Sequence, residues 1–381
     1  MRPTFGKFWS MAPHHERQNS SPQDELGEWR ARIDALDSQL LQLLQERVEC
    51  ALSVGEIKKR NNWPLHDPVR EKLIYERLRQ KQSDMKGDLP ASAITAIFRE
   101  IISACRAAEH PVRVAFLGPA GTNTQEAAVQ FFGSAVEGWP CSTPDEACRA
   151  VASGGADYAV IAIENSIQGL VPANLDLLAA ANLSIIAEIE LPIHHCLLSN
   201  SDIASISTVY SHEQGIAQCR GWLAAHLPGA ALVPVTSTAR GAEMASKEPG
   251  AAAISSALAA DIYALQIVAA NIEDIAGNKT RFYVVATTDK SPAPSGRDKT
   301  SLTFLTPHKP GALAEVLAVF ARGGVNVSMI QSRPSRQAAW EYRFFADVSG
   351  HQSDPKLESV WEELRAHTVS FKILGSYPEA G

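Results

Sequence analysis

Apolar residues change their stride once along this chain, at Val112. Before it, Leu26, Trp29, Ile33, Leu36, Leu40 and Leu43 recur at alternating steps of three and four, and the pattern continues past Arg47 to Cys50, Val54 and Ile57. That spacing keeps one helix face apolar, so residues 24–57 are predicted to form one long helix with a single seam. Asn61, Asn62 and Pro64 stop it, and Pro68 suits the first turn of a second helix. A third runs from Pro90 to His110, ahead of Pro111. After Val112 come short apolar runs: RVAFLG, ADYAVIAIE, NLSIIAEIE, ISTVYSH, AALVPVT, AAAISS and TRFYVVATT. With helical stretches between several of them, they predict an α/β domain of largely parallel strands. Residues 291–298, rich in Pro, Ser and Gly, read as a linker. Beyond it SLTFLT, a helix 312–322, VNVSMIQSR, WEYRFFADV, a helix 355–367 and VSFKILG give the βαββαβ order of ferredoxin-like domains. The chain is therefore multidomain: a flexible tail 1–22, an all-α domain 23–110, an α/β domain 111–290, the linker, and an α+β domain 299–377.

Charge narrows the function. With 35 Lys and Arg against 42 Asp and Glu, a net charge of −7, the chain lacks the basic excess that nucleic-acid binding wants. Residues 221–239 carry no formal charge, but Pro228, Pro234, Thr236 and Ser237 interrupt them, so no membrane span is expected. The first residues hold no apolar core of signal-peptide length, and a cytoplasmic location is expected. Six cysteines lie scattered without CxxC pairs and read as free thiols. His194 and His195 are adjacent and lack helical ligand spacing, so neither a metal nor a cofactor is expected.

Arg47 interrupts the seam where an apolar side chain is due, and a buried arginine needs a partner. Glu71 could supply one. Lys58, eleven positions on, returns to within about 20° of Arg47 at about 100° per residue, so two cations share one face. They suggest an anionic ligand between helices. Arg30 is turned about 100° from Arg47 and could join such a pocket only in a second chain packed along the seam. With these residues, 24–110 resembles the all-helical chorismate mutases, whose first helix swaps between two subunits. The resemblance implies that Arg30 of the partner subunit and Arg47 grip the substrate carboxylates. Lys58 and Glu109 would donate to the ether oxygen, Glu71 would bind the hydroxyl, and Asp67 and Arg70 also fall on binding positions. The implied reaction is a pericyclic rearrangement, which needs a compact conformer and stabilised charge rather than a nucleophile. Many members carry Gln at position 109 and Ser at 105. Glu109 here must hold a proton to donate.

GPAGT at 118–122, IENSIQG at 163–169, HCLL at 195–198, SHEQGIAQC at 211–219, TSTA at 236–239 and TRF at 280–282 are weak singly. Together they resemble the prephenate dehydratases across 112–287. That implies two α/β lobes around a cleft, like type-II periplasmic solute-binding proteins. Prephenate would lose its ring carboxylate and 4-hydroxyl together to give phenylpyruvate. By the resemblance Thr280 hydrogen-bonds the departing hydroxyl, and Asn165, Ser211 and Gln218 make polar contacts. Arg281 is a plausible clamp for a substrate carboxylate. Asn123 stands where members usually carry Phe or Tyr, and Ala162 where they carry Pro.

Residues 299–377 resemble an ACT domain of the phenylalanine-binding kind. Its motif residues are Gly311, Ala312 and Leu313, at a helix start where free backbone N–H groups suit a carboxylate. A second motif, usually Glu-Ser-Arg-Pro, reads Gln331, Ser332, Arg333, Pro334. The three resemblances imply a bifunctional chorismate mutase–prephenate dehydratase, a homodimer or tetramer, with phenylalanine as effector between ACT domains. An arogenate dehydratase is the nearest alternative. A non-catalytic amino-acid sensor would not need Thr280, Asn165, Arg47 and Lys58, and a solute-binding protein would need an export signal.

Overall fold

A computed structural model describes residues 21–61, 63, 68–85, 87–334 and 341–379; Asp67 lies outside them. Packing divides the chain into two compact units at Val54/Gly55, inside the first helix. That helix, α1 (Pro22–Arg60), opens with a capping box. Ser21 Oγ accepts from Asp24 N–H at 3.3 Å, and Asp24 Oδ2 accepts from Ser21 N–H at 3.1 Å. In the first unit, Leu26, Trp29, Ile33, Leu36 and Leu40 of the predicted seam are all exposed, between 48% and 62%.

In the second unit, α2 (Pro68–Met85) and α3 (Ala91–Glu109) form an antiparallel pair, with Ile94, Ile102 and Cys105 of α3 buried. The two-lobed domain follows. Its first lobe is built from β1 (Arg113–Leu117), α4 (Asn123–Phe132), β2 (Glu137–Cys141), α5 (Pro144–Ala152), β3 (Tyr158–Asn165), β4 (Gly169–Leu170), α6 (Pro172–Ala180) and β5 (Ser184–Pro192). The chain crosses into a second lobe of β6 (Cys196–Ser199), β7 (Thr208–His212), α7 (Glu213–Gln218), α8 (Arg220–His226), β8 (Ala231–Val235), α9 (Thr238–Ala245), β9 (Ala251–Ser255), α10 (Ala257–Tyr263) and β10 (Gln266–Ala269). It then returns as β11 (Lys279–Ala286). The sheets run β2-β1-β3-β11-β5, with β4 beside β3, and β10-β6-β9-β7-β8.

Both sheets are mixed, a correction to the largely parallel expectation. β11 is antiparallel to β3 and β5 because it starts at the cleft, where those two strands end. In the second lobe β6 is antiparallel to β9 and β10. Two crossovers between lobes produce the arrangement expected of a type-II solute-binding protein. β2, β4, β6 and β10 were not foreseen in the sequence.

The last domain has the predicted order: β12 (Asp298–Leu305), α11 (Ala312–Arg322), β13 (Val327–Pro334), β14 (Tyr342–Ser349), α12 (Pro355–His367) and β15 (Ser370–Pro378). Its antiparallel sheet runs β13-β14-β12-β15. Phe345, Leu374 and Tyr377 join Ile161, Ile185 and Tyr283 of the first lobe in one buried cluster. Gly375 permits that approach, since a Cβ there would stand 2.1 Å from the Ile185 carbonyl oxygen.

Candidate active sites

A cleft of about 520 Å³ opens between the two lobes. Its first-lobe wall is the turn after β1. Gly121, at φ +84°, packs on Ala259 of α10, where a side chain would collide. Tyr263 Oη donates to the Ala120 carbonyl at 2.8 Å and Ser256 Oγ to the Gly121 carbonyl at 3.2 Å, so the second lobe holds this turn. Thr122 caps α4 by accepting from Gln125 N–H, which leaves Asn123 and Thr124 at the cleft surface. Across the cleft, Ser237 caps α9 in the same way, and Thr236, Ser237 and Thr238 line the wall. Two helix N-termini therefore face the cavity, each able to hold a carboxylate.

Thr280 sits at the start of β11, opposite Asn165 in the ladder with β3. Asn165 Nδ2 donates to Thr280 Oγ1 at 3.0 Å and to Asn278 Oδ1 at 2.8 Å, and all three residues line the cleft. Gln218 lines it from α7, its Oε1 lying 2.6 Å from buried His195 Nε2. The backbone N–H of His195 donates to Glu273. Burial would raise the Glu273 pKa, but that bond and the neighbouring His194 hold it below the ordinary value. His195 opens the HCLL motif, whereas Asn278 belongs to none of the quoted motifs; its signal in the sequence is its place two residues before Thr280, just ahead of β11.

Two expected site residues lie elsewhere. Ser211 is fully buried, donates to the Ile254 carbonyl at 2.8 Å and supports Gly215 beneath α7. Arg281 alternates to the far side of β11 from Thr280, as neighbours on a strand do. Its Nη1 donates to Asp347 of β14 at 2.7 Å, and its Nη2 lies 3.0 Å from Glu164. Burial would lower its pKa, but the Tyr283 hydroxyl and Asp347 raise it, so this cation is held against the ACT domain. Among the described residues lining the cleft there is no Lys or Arg.

In the helical region, Arg30 is exposed and Arg47 half-buried on α1. In the second unit Lys58 is half-buried, Arg70 and Glu71 open α2, and Glu109 closes α3. Glu71 lies 3.4 Å from Arg106, a buried arginine of α3 that also donates to the Phe132 carbonyl. The Glu109 carboxylate packs on Gly55, and its backbone carbonyl accepts from Lys59 Nζ at 3.3 Å.

In the ACT domain Gly311, at φ +83°, precedes α11 and lines a pocket of about 460 Å³ with Ala312 and Leu313. Gln331, Ser332, Arg333 and Pro334 lie on β13, outside that pocket, and Arg333 Nη2 donates to Asp176 of α6 at 2.8 Å. Cys50 is exposed and the other five cysteines are buried, all as free thiols; burial pushes Cys148 and Cys219 each up to about 12. Among the described residues no cluster of three or more His, Cys, Asp or Glu could hold a metal, and no helix is long and apolar enough to cross a membrane.

Family profiles described as chorismate mutase type II, prephenate dehydratase and ACT domain match residues 29–110, 114–290 and 300–366. A bifunctional chorismate mutase/prephenate dehydratase of Aquifex aeolicus (strain VF5) is 43% identical over 359 residues, 94% of this chain and 99% of that one. Among solved structures, a prephenate dehydratase from Arthrobacter aurescens in complex with L-Phe is 37% identical, with a TM-score of 0.66, covering 71% of this chain and 90% of that one. Another, described as GqqA, a novel type of quorum quenching acylase, is 33% identical with a TM-score of 0.65, covering 70% and 98%. Similar to a bifunctional enzyme over nearly its whole length, and matched in each of three domains, the chain belongs to the bifunctional chorismate mutase/prephenate dehydratases.

Proposed function

We propose that the cleft holds prephenate by the carboxylate that survives the reaction and leaves the departing one weakly bound. The observation that carries this is the lining: hydroxyls, amides, the imidazoles of His195 and His212 and the N-termini of α4 and α9, with no Lys or Arg among its described residues. Gripping the ring carboxylate with a cation would stabilise the charge that must be lost as carbon dioxide, which raises the barrier. A helix N-terminus suits the pyruvyl carboxylate, whose charge persists. When the bond to the ring carboxylate breaks, its electron pair enters the ring, and aromatisation expels the 4-hydroxyl. Thr280 donates a hydrogen bond to that departing oxygen, because its Oγ1 accepts from Asn165 and its proton is free for the substrate. The bonds described around Thr280 Oγ1 involve no imidazole or carboxylate, so the hydroxyl is not set up as a nucleophile for acyl transfer.

In the mutase site Arg47, with Arg30 of the partner subunit, holds the carboxylates of chorismate. Lys58 and Glu109 face the ether oxygen, and Glu71, Arg70 and Asp67 complete the site. The exposed apolar face of α1 pairs with a second copy of the chain, giving a homodimer. Phenylalanine binds between the ACT domains of two chains, with its carboxylate at the N-terminus of α11, and inhibits the dehydratase. The enzyme acts in the cytoplasm on small molecules alone. Initial rates on prephenate and on arogenate, with and without phenylalanine, test this reading. Faster turnover of prephenate and inhibition by phenylalanine are expected; preference for arogenate, or indifference to phenylalanine at millimolar concentration, contradicts it.

A further inference from the structure

The direction of the hydrogen bonds around Asn165 is fixed. Its Oδ1 accepts from the backbone N–H groups of Ile167 and Gln168, both at 3.1 Å. A backbone N–H can only donate, so this end of the amide is the oxygen. The other end, Nδ2, donates to Asn278 Oδ1, Thr280 Oγ1 and, at 3.3 Å, the Lys279 carbonyl. Two N–H bonds and two lone pairs are thus all engaged within the protein, and Asn165 has nothing left for a substrate.

The same logic orients Asn278. The atom facing Asn165 Nδ2 must be an acceptor, and Ser166 Oγ donates to that oxygen as well, at 3.4 Å. Nδ2 of Asn278 is therefore turned away from Asn165. It donates to none of the described residues, yet it is not among the sealed buried atoms. The residue is 5% exposed and lines the cleft beside Thr280. Lys279 N–H, donating to Ser166 Oγ at 2.9 Å, locks the backbone between the two. One fixed amide thus leaves two donors, Thr280 O–H at the start of β11 and Asn278 N–H just before it, lining the same cleft.

We propose that Asn278 is a further catalytic residue of the dehydratase, donating from Nδ2 to the departing 4-hydroxyl oxygen alongside Thr280, while Asn165 is the positioning residue that aims both. This rests on the assignment of Thr280 to that oxygen. The oxygen leaves as hydroxide as carbon dioxide is released, and bulk water protonates it afterwards. Two preorganised neutral donors stabilise the growing charge without either losing a proton.

Asn278→Asp tests the idea in the full-length enzyme. Aspartate keeps the acceptors that Asn165 and Ser166 need and removes the donors. At alkaline pH its kcat on prephenate should fall about 100-fold, the scale of one lost oxyanion donor, with KM little changed. Acidification should restore part of that loss, since a protonated carboxyl donates again, and the wild type should show no such recovery. Asn278→Ser, with a hydroxyl that accepts and donates, should keep more activity than Asp at alkaline pH. Mutase turnover and thermal unfolding report on folding. Wild-type kcat in Asn278→Asp, or equal losses in the Asp and Ser variants at every pH with unfolding unchanged, would overturn the role of Asn278. Wild-type kcat in Thr280→Ala would instead overturn the leaving-oxygen assignment itself.

Discussion

Thr280 and Arg281 are consecutive on β11, yet one faces the cleft and the other faces the ACT domain. Arg281 is held by Asp347 with Glu164 beside it, and Glu188 lies 3.8 Å from Nη1. A guanidinium surrounded by three carboxylates has no charge to offer a fourth, so the short motif joins the proposed catalytic hydroxyl to a domain tie. Glu109 poses the opposite problem. In the proposed mutase site it must donate to an ether oxygen that gains negative charge, and an ionised carboxylate there repels that charge. Glu109→Gln carries a permanent N–H donor. Its mutase activity should persist at alkaline pH, where the wild type declines, while dehydratase profiles stay alike. A pH–rate profile of both proteins checks this. Superimposable mutase profiles, or a variant inactive throughout, would remove Glu109 from the ether oxygen.

At the scale of elements, α1 leaves Trp29, Ile33, Leu36 and Leu40 about half exposed, an apolar row that water does not favour. Paired with a second α1, each of these side chains would gain roughly 1–2 kcal/mol of burial. Ile33→Glu with Leu40→Glu should convert the dimer to monomer by light scattering and abolish mutase activity, while the dehydratase cleft keeps its turnover. A doubly substituted protein that stays dimeric would move the interface elsewhere. The same periodicity made α1 legible in the sequence, since steps of three and four have few other readings, and Pro68, Pro90 and Pro111 marked the bounds of α2 and α3. The missed strands had no comparable pattern. β2 and β10 are sheet edges with short or largely exposed sequences, and β6 is four buried residues in a row. The cleft motifs were legible as a set, but not which side of a strand each faced. Ser211 sits beneath α7, and Arg281 is drawn across the sheet by Asp347, 66 positions further along the chain.

Across the whole molecule, the ACT domain and the first lobe share a core rather than a tether. Asp347, 1% exposed, gathers Arg281, Tyr283 and Ser301, while Lys299 pairs with Glu188 across the boundary. A ligand that favoured one arrangement of the ACT sheet would act on the strand that carries Thr280, and the proposed phenylalanine binding would become inhibition by this route. One chain is proposed to run two consecutive reactions at separate sites, the second depending on Thr280. Chorismate supplied to purified wild type and to Thr280→Ala, with prephenate and phenylpyruvate followed together, tests it most directly. Wild type should form both in sequence, and the variant should accumulate prephenate at the wild-type mutase rate with phenylpyruvate formation at least about 100-fold slower. Phenylpyruvate from the variant at the wild-type rate, or no prephenate from either protein, would contradict it.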